Sequence, residues 1–528
     1  MNRIVLPLLV CAVLHAGAET LPEPTGPGDL VLPPIVLEVE DLSEVRIEAR
    51  LPPEEDLLPP DRRFPLPQPG VLAIVEPSLP STDGTGQPAG PTGSALATRA
   101  ALGVGTPRGM SAEVQLTAAG TPGLDVSFTH ESLDGFGGRP PGSGFDLRED
   151  RLSAAVALAP WGADLDLEGI WNDRARGLQG LGGTGSTTTA TARTIGGSVS
   201  LSGRPAAWLT LGGGLEVAND ELVLAGPSPR DITELGVSPS LSAAAAFGRW
   251  TLGLTARYEF HAGTLIADPF VNGHRFRTDL TVGVEPVSGW QLEAGVGWHW
   301  TGEGMSTAPF HAALSGTPLE FLTFSLRGGY RAVPVDLADA LAAHPFLLPV
   351  QTEDSEGWFG ALDLTLGVGG AISATAGLSY TSGSGMLDAD GTPDPVTGLY
   401  PVEQRPADGL ALTGSLRWSI AAWLTLNASL AVNLPDRPWY EPFGAVSVEL
   451  TALEATGRMG ATLSAVSDTK TFLPLPGMNL GGFLRVSPAV RLRLDASDLL
   501  GPLAGPRIDL GVYERPGLRV TGSVQVDF

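Results

Sequence analysis

Cysteine is all but missing: Cys11 is the only one in 528 residues. If an N-terminal leader is removed, none remains, which excludes disulfides and thiolate chemistry from the mature chain. Basic charge is scarce as well. Lys and Arg total 32 against 58 Asp and Glu, a formal net charge of −26. Nucleic-acid binding needs a basic footprint, so no nucleic-acid partner is expected. Hydrophobic residues make up 43% of the chain. Yet no run of about eighteen apolar residues occurs, which excludes a transmembrane helix. Apolar content without apolar runs implies alternation. Aromatics are also few, 6% with 6 Tyr, so any lipid-facing surface must lean on Ala and Gly.

Catalytic signatures are missing too. No HExxH, GxSxG, Walker A or EF-hand pattern occurs. His15, His130, His261, His274, His299, His311 and His344 show no close ligand spacing and read as isolated surface or lumen residues. Gly103, Gly105 and Gly109 mimic a phosphate loop, but no helix follows to cap a phosphate. The chain is therefore not expected to be an enzyme, and neither a metal nor a cofactor is expected.

What is present has three textures. Residues 1–18 hold Arg3, an apolar stretch Ile4–Leu14 and the small-residue run Ala16-Gly17-Ala18. This is the layout of a secretory signal cut after Ala18. Residues 19–93 carry about a third of the 46 prolines, in PEPTGPG, PPEEDLLPP and PLPQPG, with many acids. Pro cannot enter a central strand and disfavours helix interiors, so a largely disordered, extended periplasmic segment is expected.

From residue 94 to 528, segments of nine to thirteen residues alternate apolar and polar. In Trp423–Asn433, Leu424, Leu426, Ala428, Leu430 and Val432 share one face, with Thr425, Asn427, Ser429 and Asn433 on the other. The gaps alternate between tight (GTPG at 120–123, PWGA at 160–163, FG at 247–248, VGG at 368–370) and long (132–148, 172–190, 218–233, 263–272, 333–356, 383–404). Short turns at one end and long loops at the other predict an all-β fold, a transmembrane antiparallel β-barrel of about 22 strands. Trp161, Trp208, Trp250, Trp290, Trp418 and Trp423 stand beside tight turns. Trp171, Trp298, Trp300, Trp358 and Trp439 stand near the long gaps. Amphipathic rings at both strand ends are what interfacial girdles need.

The last stretch, GLRVTGSVQVDF, alternates to its final residue, Phe528. It reads as a closing strand paired with the first one near Ala95–Leu102, with Phe528 as the assembly signal. Together, LRLDASDLLGP, Pro516-Gly517 and the terminal Phe resemble the end of TonB-dependent receptor barrels. RAALGVGTPRGM and the residues after it (99–136) resemble their first hairpins. The resemblance implies 22 strands, an outer-membrane location and solute transport. It departs in one respect: no plug domain is recognisable, since only the Pro-rich 19–93 precedes the barrel. Within it, Ile35–Glu40 (IVLEVE) is a candidate TonB box or an ordinary apolar patch.

The expected function is an outer-membrane channel or transporter barrel for a small solute, with both termini periplasmic. The alternative is a surface adhesin or structural anchor acting through its extracellular loops. Asp164, Asp166 and Glu168 project from one strand face, as do Arg491, Arg493 and Asp495. They are candidate lumen-lining residues that tune selectivity or simply keep the wall wet. Expected partners are outer-membrane lipid, the outer-membrane assembly machinery and a small-molecule solute. Residues 19–93 either fold into the lumen or reach a periplasmic partner.

Overall fold

The computed structural model describes residues 96–528 apart from 121, 181–188, 227–229, 265–270, 303, 305, 344–345, 349–353, 390–391, 436–443, 469–475, 506–507 and 510–512. The leader 1–18 and the Pro-rich 19–93, with IVLEVE, lie outside the described residues, as does Trp439. One sheet holds 24 strands, of which Ser306–Thr307 and Leu347–Leu348 are two-residue segments, so 22 build the wall.

In chain order the first eleven are β1 (Leu96–Thr106), β2 (Gly109–Ala118), β3 (Gly123–Leu133), β4 (Leu147–Leu158), β5 (Asp164–Gly177), β6 (Thr189–Ala206), β7 (Leu209–Ala225), β8 (Arg230–Phe247), β9 (Trp250–Thr264), β10 (Val271–Val287) and β11 (Trp290–Thr301). The others are β12 (Phe310–Leu319), β13 (Leu322–Val333), β14 (Ser355–Val368), β15 (Ile372–Ala389), β16 (Tyr400–Ala421), β17 (Leu424–Pro435), β18 (Gly444–Leu453), β19 (Met459–Asp468), β20 (Gly477–Ser487), β21 (Val490–Ser497) and β22 (Arg519–Asp527).

Each strand pairs antiparallel with the next, and β22 returns to β1 from Arg99↔Asp527 to Thr106↔Val520. Closure removes every wall edge. The seam runs to the last residue. Thr98 N–H donates to the Phe528 carbonyl (3.2 Å), and Phe528 N–H donates to the Thr98 carbonyl (2.7 Å). Gly105 permits the close approach there, because a Cβ would stand 2.7 Å from the Val520 carbonyl oxygen.

Alternation divides the wall into two faces. On the outer face Leu430, Val446, Val448 and Leu450 are exposed. On the other, Ser429 and Ser447 share a hydroxyl hydrogen bond (2.6 Å), and Asn427 donates to Glu449 (3.0 Å). Exposed Leu and Val recur around the barrel. Lipid, not water, covers such a continuous apolar band favourably.

Trp208, Trp250, Trp418 and Trp423 are exposed at the tight-turn end, and Trp298 and Trp358 nearer the other. Trp290 and Trp298 are eight residues apart on β11. At about 3.3 Å per residue and a tilt of about 40°, that is roughly 20 Å along the barrel axis, near the ~25 Å apolar band of such barrels. On β5 the outer face reads Leu165, Leu167, Gly169 and Trp171 before Asp173. Beyond that row, Arg193 bridges Asp173 (3.0 Å) and Glu221 (3.1 Å) across neighbouring strands.

That change of outer-face chemistry explains why several loops come out shorter than the sequence suggests. Residues 218–233 and 383–404 are mostly strand, and 172–190 starts and ends in strand: β5 reaches Gly177, β6 begins at Thr189, β7 reaches Ala225, and β15 and β16 leave only 390–399 between them. Past the aromatic row the outer face meets water, so polar residues occupy both faces and the period of two fades while the ladder continues. The first hairpin breaks the short-turn, long-loop rule, since Pro107 and Arg108 alone join β1 to β2 at the loop end.

Candidate functional site

The candidate lumen residues fall in two separate places. Asp164, Asp166 and Glu168 lie on the β5 face opposite Leu165 and Leu167, across from Ser202, Ser200 and Ser198. Arg491, Arg493 and Asp495 lie on the corresponding face of β21, across from Gln525, Ser523 and Thr521. Arg493 pairs with Asp495 (2.5 Å), and the Arg491 guanidinium sits 4.9 Å from the Phe483 ring centroid. Five strands, β22 and β1 to β4, separate the trios, so they do not form one site. Phe528 follows the closing strand and is 73% exposed.

The concentrated chemistry lies at the loop end. A buried apolar cluster joins Leu178 and Ala190 beside the β5–β6 connection to Leu222, Leu224 and Ile232 of β7 and β8. It also takes Leu337, Leu341, Phe346, Leu347 and Leu348 from the β13–β14 connection, Leu399, Tyr400 and Val402 from the start of β16, and Tyr513 from the β21–β22 connection. These strands stand at separated points of the ring, so the cluster spans the mouth as a cap. Phe346 and Tyr513 stack at 3.6 Å with 3° between their planes. The Tyr513 hydroxyl donates to the Gly398 carbonyl, and burial pushes its phenol well above the ordinary tyrosine value. Gln179 bonds both backbone groups of Glu514 (2.8 Å each), tying two connections together.

Within the 334–354 connection, Leu337–Ala343 forms helix α1. Its start carries a reciprocal cap. Asp339 N–H donates to the Asp336 carboxylate (3.0 Å), and Asp336 N–H donates to the Asp339 carboxylate (3.1 Å). Leu337 N–H, left over by the helix, donates to Glu234 of β8 (2.8 Å). Burial, then the nearby Glu234 charge, raises the Asp336 carboxyl above its ordinary value. Water reaches one side of Asp339, yet the surrounding protein, then Asp336, raises its carboxyl to about 7.

The wall grips both feet of this connection. Asp354 at its far end is buried and pairs with Arg275 of β10 (2.8 Å) and His299 of β11 (2.7 Å). Arg275 also donates to the Val335 carbonyl at the near end (3.0 Å) and lies 3.2 Å from His261 Nε2 of β9. His261 Nδ1–H donates to the Glu234 carboxylate (2.6 Å). One continuous chain, Asp354–Arg275–His261–Glu234–Leu337, runs from one foot to the other. Beneath it Glu259, nearly buried, pairs with Arg277 and with Arg257 (2.9 Å).

Sequence reading missed both the cap and this chain. The available signal for α1 was Asp336-x-x-Asp339 ahead of Leu337 and Leu341 at helical spacing. The described histidines are not isolated: His130 meets Asp150 (2.5 Å), His311 meets Glu293 (3.3 Å) and His274 meets the Tyr258 hydroxyl (2.7 Å), while His15 and His344 lie outside the described residues. Those contacts depend on strand register, which one sequence does not reveal. Among the described residues no cluster of three or more His, Cys, Asp or Glu is arranged to hold a metal.

No family model and no curated protein matches the chain. Solved structures do. A mutant ferric enterobactin receptor (PfeA) from Pseudomonas aeruginosa, in complex with enterobactin, aligns with a TM-score of 0.62 at 13% identity, over 83% of this chain and 82% of that one. The FrpB iron transporter from Neisseria meningitidis aligns at 0.61 and 11%, over 83% and 82%. The copper transporter OprC aligns at 0.60 and 12%, over 82% and 80%. Each is named as a receptor or a transporter. The fold is thus an outer-membrane β-barrel that resembles TonB-dependent receptor barrels, as the chain ends suggested.

Proposed function

We propose that this protein is an outer-membrane channel or transporter barrel that passes a small solute, with both termini on the periplasmic side and the capped mouth outside. The observation that carries the reading is the two-faced wall: an apolar outer band between Trp rows around a charged inner face. A 22-strand barrel of this kind encloses a wide lumen that is normally plugged. The matched barrels are named for iron, copper and a ferric chelate. The cargo here is assigned no further than a small solute.

In this reading Asp164, Asp166, Glu168, Arg491, Arg493 and Asp495 line the lumen. Phe528 is the residue that the outer-membrane assembly machinery recognises. The acidic Pro-rich 19–93 occludes the lumen or reaches a periplasmic partner. An adhesin is less well supported, because apolar residues of the long connections are spent in the cap. The test is planar-bilayer conductance of the full chain against a form lacking 19–93. Conductance that rises on deletion supports a pore occluded by that segment. High conductance in both makes the protein an open porin, and silence in both favours the anchor.

A further inference from the structure

We infer that two ion pairs on the inner face, Arg99–Asp527 and Arg519–Glu131, select the register in which β22 closes against β1. The inference rests on the closed wall alone and does not depend on what passes through it.

The seam is set apart by its covalent structure. β1 to β22 follow one another along the chain, and each is joined to the next by a connection. The chain itself therefore limits how far those neighbours can slip. No connection joins β22 to β1. Their eight register pairs, from Arg99↔Asp527 to Thr106↔Val520, must be chosen by contacts.

Most contacts along the seam cannot choose. A slip of one residue is excluded, because it turns every side chain of one strand to the wrong face. A slip of two residues keeps both faces. On the lipid side it sets Leu102 opposite Val526 or Gly522 in place of Val524, and no polar group enters the lipid face. On the lumen side Ala101, Gly103 and Gly105 stand opposite Gln525, Ser523 and Thr521. Alanine and glycine carry no group that tells those partners apart.

The ion pairs can choose. Arg99 and Asp527 are direct register partners, with Nε 3.0 Å from Oδ1, and Gln525 also donates to Asp527 (3.0 Å). A slip of two residues sets Arg99 opposite Gln525 or beyond the chain end, and Asp527 opposite Ala97 or Ala101. At the other end of β22, Arg519 pairs with Glu131 of β3. That bond crosses β1 and β2. Glu131 stands opposite Ser111, Ser111 opposite Gly103, and Gly109 opposite Gly105. The inner face at this level thus carries only glycine and serine, so no bulky side chain stands between the partners. The same slip displaces Arg519 along the wall by about 7 Å.

Each pair is partly exposed, at 32% and 34% for one and 28% and 37% for the other. Each contributes modestly for that reason. A modest difference is enough, because the competing registers are otherwise close. The pairs stand at the two ends of β22, so both form in one register only.

The test reads the register directly, in the full chain carrying Cys11→Ser and assembled in native membranes. Leu102→Cys is combined with Val524→Cys, its register partner, and separately with Val526→Cys or Gly522→Cys, the partners in the two slipped registers. Directly opposite residues come close enough for a disulfide, whereas diagonal neighbours stand about 7–8 Å apart. A membrane-permeant oxidant should link the 102–524 pair and leave the others largely reduced. Adding Arg99→Gln with Arg519→Gln should raise the slipped products about fivefold, which is what two exposed ion pairs can contribute together. An unchanged ratio of slipped to native product overturns the proposal.

A reversed pair covers the case in which the neutralised chain does not assemble. Arg519→Glu should lower the yield of the 102–524 disulfide, and adding Glu131→Arg should restore it. Arg519→Glu without effect, or the reversed pair without rescue, overturns the proposal.

Discussion

Tyr513→Ala isolates the cap from the wall. Tyr513 is fully buried, stacks on Phe346 at 3.6 Å and sits in the β21–β22 connection, outside the barrel ladder. Truncating a buried aromatic residue to Ala costs about 3–5 kcal/mol. Because the ring touches the cap, that cost falls on cap closure. At about 1.4 kcal/mol per factor of ten, the equilibrium for cap opening shifts by roughly two to nearly four powers of ten. Tyr513→Phe keeps the ring and loses only the bond to Gly398, a cost of about 0.5–1.5 kcal/mol, roughly twofold to twelvefold. The assay is amide hydrogen exchange. The Tyr400 amide, bonded to Phe346, should exchange far faster in Tyr513→Ala and slightly faster in Tyr513→Phe. The Leu426 amide, in the wall ladder, should not change. Unchanged Tyr400 exchange, or equal loss of protection at Leu426, would refute the claim that cap and wall are separate in stability.

Other outcomes follow from the same geometry. Leu430→Arg puts a charge on the lipid face near mid-strand and should destabilise the membrane-inserted barrel by about 2–4 kcal/mol in denaturant titration into bilayers; Ser429→Arg, one residue away on the polar face, should cost much less. The Asp336 and Asp339 carboxyls are raised in the folded protein, so the folded start of α1 holds protons that its unfolded form releases. That local fold should therefore weaken as pH rises from the ordinary carboxylate range, about 4, through about 7. Exchange of the α1 amides should speed up across that window beyond the intrinsic base catalysis, and Asp339→Asn should flatten the excess. Deleting Phe528 should lower surface levels of assembled barrel, read by heat-modifiable mobility; normal levels would count against its role as an assembly signal.

Legibility tracked the physics of each region. Between the aromatic rows, lipid outside and polar lumen inside impose a period of two, so β17 was readable from Trp423–Asn433 alone. The closing strand was readable because Phe528 sits in register with Thr98. Above the rows water wets both sides, the contrast fades, and the loop-side ends of β7 and β8, within 218–233, looked like a loop. The cap escaped because its members, such as Leu178, Phe346, Tyr400 and Tyr513, come from distant segments that only barrel closure brings together. The Arg275 chain escaped for a related reason: it needs the register of β8 to β11, and one residue of slip would turn all its members to the lipid side.

The measurement closest to the central claim is cysteine scanning along β17, in a chain whose only native cysteine is Cys11. Single cysteines at Thr425, Leu426, Asn427, Ala428, Ser429 and Leu430 would be probed in native membranes with a water-soluble thiol reagent and a lipid-soluble one. A membrane-spanning wall around an aqueous lumen predicts strict alternation: 425, 427 and 429 react from water, and 426, 428 and 430 only from lipid. Uniform reaction with the water-soluble reagent would contradict it, because the apolar face would then not lie in a bilayer.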